Sequence, residues 1–119
     1  MHYVTRIYFG RSIPAGFTGP HVANGQSFVD DRAFDAFVDD TVSVAFPAGF
    51  SITHGVGGWR DASTGEHVRE TSAVLEVYHS GSIRDRDAVR NVAVTYRQRF
   101  GQDAVMVATQ NLSEGVQFL

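Results

Sequence analysis

Hydrophobic and polar positions alternate along residues 2 to 9, the signature of a strand. Tyr3, Thr5, Ile7 and Phe9 fall on one face, and His2, Val4, Arg6 and Tyr8 on the other. Gly10 and Pro14 break this strand and open a long loop, whose stretch from Ser12 to Gly25 has the length of a lid. From about Asp30 to Phe46 the period changes. Phe34, Phe37, Val38, Val42, Ala45 and Phe46 recur at helical spacing, with Asp30 and Asp31 at the end where acids suit the dipole and Pro47 and Gly49 as the stop. Asp35, Asp39 and Asp40 then lie on a solvated helix face. Two strands follow, Phe50–Val56 and Ser72–His79, joined by a glycine-rich segment and the polar turn Asp61-Ala62-Ser63-Thr64-Gly65, which predicts a hairpin. Gly55, Gly57 and Gly58 predict a bulge or a close approach by another group. Thr71, Ala73, Leu75, Val77 and His79 form the core face of the third strand; Glu70, Ser72, Val74, Glu76 and Tyr78 form the other. A second helix runs from about Asp85 to Phe100 on the stripe Val89, Val92, Ala93, Tyr96 and Phe100, with Gly101 as its stop. A fourth strand is expected at Ala104–Thr109, and a short terminal one at Val116–Leu119.

The order is strand, helix, strand, strand, helix, strand. Both helical stripes need the same sheet face, and right-handed crossovers then give an α+β, ferredoxin-like βαββαβ sandwich: an antiparallel sheet with strands one and three central and two helices on one face. The 119 residues suit a single domain over 1–119. A hydrophobic content of 43% supports a packed core rather than disorder.

Charge and composition narrow the chemistry. A net charge of −3 gives no bulk attraction to nucleic acid or to an anionic membrane, and no run approaches the length of a membrane helix. Without cysteine, thiol catalysis and disulfides are excluded. All ten basic residues are Arg, as a GC-rich coding sequence produces, so lysine Schiff-base chemistry is excluded and any anion would be held by guanidinium groups. The opening residues lack a signal-peptide layout, so a cytoplasmic location is the expectation.

The runs Tyr8-Phe9-Gly10-Arg11-Ser12-Ile13-Pro14, Phe46-Pro47-Ala48-Gly49-Phe50-Ser51, Gly58-Trp59-Arg60, Arg69-Glu70-Thr71-Ser72 and Tyr96-Arg97-Gln98-Arg99-Phe100-Gly101-Gln102 together resemble a family of small bacterial proteins known only as a domain of unknown function. The resemblance spans nearly the whole chain. In the family's pattern a Gln precedes the Trp and a Lys follows the Ser; here those positions are Gly58 and Ala73. The resemblance implies no activity, and the chemistry rests on the residues.

Polar groups expected on the uncovered sheet face are Arg6 and Tyr8, Ser72, Glu76 and Tyr78, with His54 from strand two; Arg6 should lie near Glu76 or Ser72. An ion pair there serves a solvated or dimer-covered face as readily as a ligand. Arg11, Arg60 and Glu70 sit at strand ends: two guanidinium groups to grip a carboxylate or phosphate, with Glu70 as orienter or base, or a salt bridge that fixes the loop. His2, His21, His54, His67 and His79 show no metal-binding spacing, so no metal is assigned. His54 is the best-placed acid or base. Ser12 and Ser72 lack a nucleophile elbow. The predicted site joins His54 and Glu70 as proton-transfer groups to Arg11, Trp59, Arg60, Tyr8 and Arg6 as binding groups.

The function read from these groups is a small cofactor-independent enzyme, of isomerase, lyase or cyclase type, moving a proton on a small anionic or aromatic molecule. The alternatives are a non-catalytic binder of small anions and a homodimeric interaction module. The partners expected are a small-molecule ligand and a second copy over Val4, Tyr8, Val74 and Tyr78, with neither nucleic acid nor membrane.

Overall fold

A computed structural model describes residues 1–119. Four strands, β1 (Tyr3–Gly10), β2 (Ser51–Arg60), β3 (His67–His79) and β4 (Met106–Asn111), form one sheet in the order β2-β3-β1-β4. Every neighbouring pair is antiparallel. The helical layer is built by α1 (Asp31–Phe37), a π-helical turn (Val38–Val42) and the short α2 (Ser43–Ala45), then by α3 (Ile83–Phe100). This is the expected ferredoxin-like α+β sandwich with β1 and β3 at its centre.

Local chemistry sets the boundaries. The Asp30 carboxylate accepts the Ala33 N–H at 2.8 Å, and the Ser82 hydroxyl accepts the Asp85 N–H at 3.1 Å, each supplying a partner for a helix-start donor that has none inside the helix. Gly101 ends α3 at φ 65°, and a Cβ there would lie 2.3 Å from the Phe17 ring, so both conformation and space require glycine.

One side of the sheet carries the core. Ile7, Phe9, Ala73, Leu75 and Val77 pack beneath Phe34, Phe37, Val42, Val89, Val92, Tyr96 and Phe100. Phe9, Phe34, Phe37 and Tyr96 meet at ring separations of 4.5 to 6.3 Å, largely edge to face. The π-helical turn lies where the helical layer is clasped to α3. Arg99 donates two hydrogen bonds to Asp40, at 3.0 and 2.9 Å, and its guanidinium stands 5.4 Å from the centre of the Phe37 ring. Asp40 is therefore not only part of a solvated face; the bond from Arg99 holds its carboxyl below the usual range.

Several boundaries differ from the sequence expectation. β2 and β3 are longer, pairing in unbroken register from Ser51↔Glu76 to Arg60↔His67. β1 stops opposite Ser72, so the outer part of this hairpin projects beyond it as a two-stranded arm. The glycines of β2 produce no bulge: Gly55, Gly57 and Gly58 each pair with a single residue of β3, Ser72, Glu70 and Arg69. β4 is shifted to Met106–Asn111, and residues 116–119 form no strand. Instead the C-terminal segment returns to the chain start, where Leu112 and Val116 donate N–H groups to the His2 and Met1 carbonyls at 2.6 and 3.0 Å. Val4, expected beneath a second copy, is already only 1% exposed within the single chain. No helix is long and apolar enough to cross a membrane.

Candidate functional site

Three distant segments converge on Gly10-Arg11-Ser12, the end of β1. The Tyr96 hydroxyl donates to the Gly10 carbonyl at 2.6 Å; burial raises the pKa of this phenol and so keeps the donor proton in place. The Gln102 amide donates to the Ser12 carbonyl at 2.8 Å. Glu70 Oε2 accepts the Ser12 N–H at 3.1 Å. The Arg11 carbonyl accepts from Val29 N–H at 2.7 Å. A Cβ at Gly10 would stand 2.6 Å from Glu70 Oε1, so the carboxylate occupies space that only glycine leaves free.

The side chain of Arg11 turns to the helix side and is 5% exposed. Its guanidinium lies 4.6 Å from the Phe34 ring centre, and its Nη1 donates to Asp31 at 2.7 Å. Its Nη2 bonds His54 Nδ1 at 3.1 Å. A guanidinium offers donors only, so His54 Nδ1 is the acceptor and the proton of the neutral ring sits on Nε2. Arg11 Nε is buried with no hydrogen-bond partner in the chain.

On the open face, register places Gly55, Ser72 and Gly10 side by side across β2, β3 and β1. The adjacent row on one side is Gly57 and Glu70; on the other it is Thr53, Val74, Tyr8 and Met106. The result is a bare strip of backbone with Ser72 in its middle, Glu70 at one border and Tyr8 at the other. One Glu70 oxygen is held by a backbone N–H, and no hydrogen bond within the chain engages the other. A Cβ at Gly57 would lie 3.9 Å from the Ser72 hydroxyl and 4.0 Å from Glu70 Cγ, so both side chains border the same gap. Further along, Arg6 Nε pairs with Glu76 Oε2 at 2.9 Å, as expected, and Tyr78 donates to the other Glu76 oxygen at 3.1 Å. That bond raises the Tyr78 pKa.

The structure thus divides the predicted constellation. Glu70 and Tyr8 share the open face with Arg6, whereas Arg11 and His54 lie on the helix side, where His54 meets Phe34 at 5.8 Å. His54 had been expected on the open face; its pairing with the core residue Ala73 fixes it on the other. Arg60 and Trp59 are carried away by the arm. Arg60 stands opposite His67, not Glu70, and donates to the Gly65 carbonyl of the turn. Trp59, opposite Val68, is 48% exposed. The loop of residues 14 to 26 is pinned by Ile13 and Phe17 in the core margin, with Ile13 N–H on the Ser27 carbonyl at 2.9 Å, so it packs against the end of α3 rather than closing over the glycine strip. Sequence reasoning missed Gln102 and Tyr96 as supports, although both lie in one of the quoted motifs. No three His, Asp or Glu side chains gather closely enough to hold a metal.

Among solved structures, the chain is similar to a phage SAM lyase in complex with S-methyl-5'-thioadenosine, at 17% identity and a TM-score of 0.60, covering 92% of this chain and 81% of that one. The same lyase in its apo state matches at 19% identity and a TM-score of 0.59, covering 92% and 80%. A GlnK–ATP complex from B. subtilis matches at 10% identity and a TM-score of 0.51, covering 93% and 84%. At these identities the likeness is one of fold. No curated relative matches the chain. The family model described as "Protein of unknown function (DUF3574)" matches residues 4–118.

Proposed function

We propose that this chain, which belongs to the DUF3574 family of proteins of unknown function, is a small cofactor-independent enzyme of lyase or isomerase type whose proton-transfer group is Glu70. The observation that carries this is the Glu70 carboxylate itself. One oxygen is fixed by the Ser12 N–H while the other is left over a bare glycine strip, the arrangement of an oriented general base. The strip suits a planar ring laid on backbone, with Tyr8 beside it and the Ser72 hydroxyl as a polar handle. His54, across the sheet, does not share that substrate within one chain.

The choice of first substrates comes from the fold relatives. The lyase complex and the GlnK complex hold different compounds, S-methyl-5'-thioadenosine and ATP, that share an adenosine group. Adenosine combines a planar base with hydroxyls, which is the chemistry a flat strip bordered by Tyr8, Ser72 and Glu70 can take. A second copy over the open face supplies the missing lid, since Tyr78 remains 42% exposed there in one chain. Light scattering at high micromolar concentration should then show an oligomer.

Thermal shift with S-adenosylmethionine, S-methyl-5'-thioadenosine and ATP should identify at least one stabilising compound. Chromatography of the mixture then reads turnover. Glu70→Gln keeps an oxygen for the Ser12 N–H, so it should fold and bind normally while losing turnover by about a hundredfold. Full turnover in this variant, or no stabilisation by any of the three, defeats the reading.

A further inference from the structure

At the opposite end of the sheet, a cleft of about 320 Å³ opens between α3 and the strands, lined by Tyr3, Thr5, His79, Arg86, Val89 and Thr109. We propose that this cleft is a second binding site, selective for a small organic carboxylate with a short apolar body.

The direction of its hydrogen bonds supports this. Gly81 N–H donates to His79 Nδ1 at 3.0 Å, so that nitrogen carries no proton and the neutral ring holds its proton on Nε2. Burial favours the same neutral form by lowering the pKa of the ring. His79 Nε2 is 2.7 Å from the Thr5 hydroxyl and donates to it. Thr5 is fully buried with His79 and Thr109 as the only partners of its hydroxyl, so its own proton goes to the Thr109 hydroxyl at 2.8 Å. Thr109 is exposed, and its own hydroxyl proton is free to donate to whatever fills the cleft. The first link is fixed by a backbone N–H that cannot reverse, and the second by the burial of Thr5, which leaves its proton no other acceptor.

The second polar wall is also a donor. Arg86 Nε donates to the Gly81 carbonyl at 2.9 Å, which fixes the guanidinium plane and leaves both terminal nitrogens without a partner in the chain. The neighbouring acid, Asp85, does not line the cleft, and its Oδ2 is occupied by the Ser80 N–H and hydroxyl at 3.1 and 2.6 Å. The polar lining therefore presents donors and a positive charge, which suits a carboxylate. Tyr3, stacked on His79 at 5.8 Å, and Val89 supply an apolar wall for the body of the ligand.

The test is an amide-resolved NMR titration of the whole protein with sodium benzoate and, separately, sodium phosphate. Benzoate should shift Tyr3, Thr5, His79, Arg86 and Thr109, and should bind more tightly than phosphate. Thr109→Val removes the terminal hydroxyl but keeps the shape of a strand residue, and should weaken benzoate about tenfold. Arg86→Gln should weaken it at least as much. If that variant loosens the Ser80–Ser82 turn, Arg86→Lys keeps the charge but not the fork and should fall between it and the wild type. Glu70→Gln, on the other site, should bind benzoate normally. Absence of saturable shifts, shifts elsewhere, unchanged affinity in Thr109→Val and Arg86→Gln, or tighter binding of phosphate each overturns the assignment.

Discussion

The two faces of the central strands β1 and β3 do opposite work with alternate residues of the same stretches. On the helix side, Ile7, Phe9, Leu75 and Val77 are buried beneath the aromatic cluster of Phe34, Phe37, Tyr96 and Phe100. On the open side, Tyr8, Gly10, Ser72 and Glu76 leave gaps, bare backbone and exposed oxygens. The closed face gains stability by filling space; the open face keeps unfilled space where a ligand can enter. The two are coupled at Gly10-Arg11-Ser12, where Tyr96 from the core and Glu70 from the open face grip the same three residues. Packing on one face thus positions the polar group on the other.

The comparison is sharpened first by Leu75→Ala, which empties a fully buried position. Denaturant unfolding should show a loss of ~2–5 kcal/mol. A loss near zero would mean that the closed face is not the stabilising one. Next, Arg99→Ala breaks the clasp between Asp40 and α3. Because Asp40 is half exposed, the loss should be only about 1 kcal/mol, with stacking on Phe37 included. Its pH dependence has a definite sign. The folded Asp40 pKa lies below the ordinary 3.8, so the contribution is fully present above that value and fades as pH falls through the lower folded value. Wild type and Arg99→Ala should converge in acid, and a gap that widens there would contradict the pairing.

Gly10→Ala tests the open face. Its Cβ would displace the Glu70 carboxylate, a flexible group, so stability should stay within ~1 kcal/mol of wild type as the lost hydrogen bond is offset by a stiffer unfolded chain. Because the same Cβ fills the strip, any response to an adenosine compound should disappear; a retained response would move the binding surface off the strip. The smallest effect belongs to Arg60→Ala on the projecting arm. Removing one exposed bond to the Gly65 carbonyl should cost less than about 1 kcal/mol and leave ligand response unchanged. Loss of that response would draw the arm back into the site.

Much of the fold was legible in the chain because its signals are local. The alternation of β1 and β3, the stripes of the helices and the stop at Gly101 each depend on neighbours within a few positions, and the element order then left one sandwich to build. The site was legible only in part. Glu70 was marked by its place at a strand end, but its partner could not be read, because the bond to Ser12 joins residues 58 positions apart. A salt bridge between Arg60 and Glu70 was one of two expectations, since both flank the turn; register put Arg60 opposite His67 and Glu70 opposite Gly57. Asp40 read as solvated because its own helix gives it no partner, and α3 supplies one.

The sequence by itself determined which residues are apolar at which period, and hence the strands, the helices and the face each must bury; that information is carried by covalent neighbours and needs no folded chain. Only the tertiary structure decided how far the hairpin extends past β1, that His54 and Arg11 lie across the sheet from Glu70, and that Val4 is covered by its own chain. Those outcomes follow from strand register and the meeting of distant segments. A one-residue change of register would turn the same side chains to the other face, so no local pattern can encode them alone.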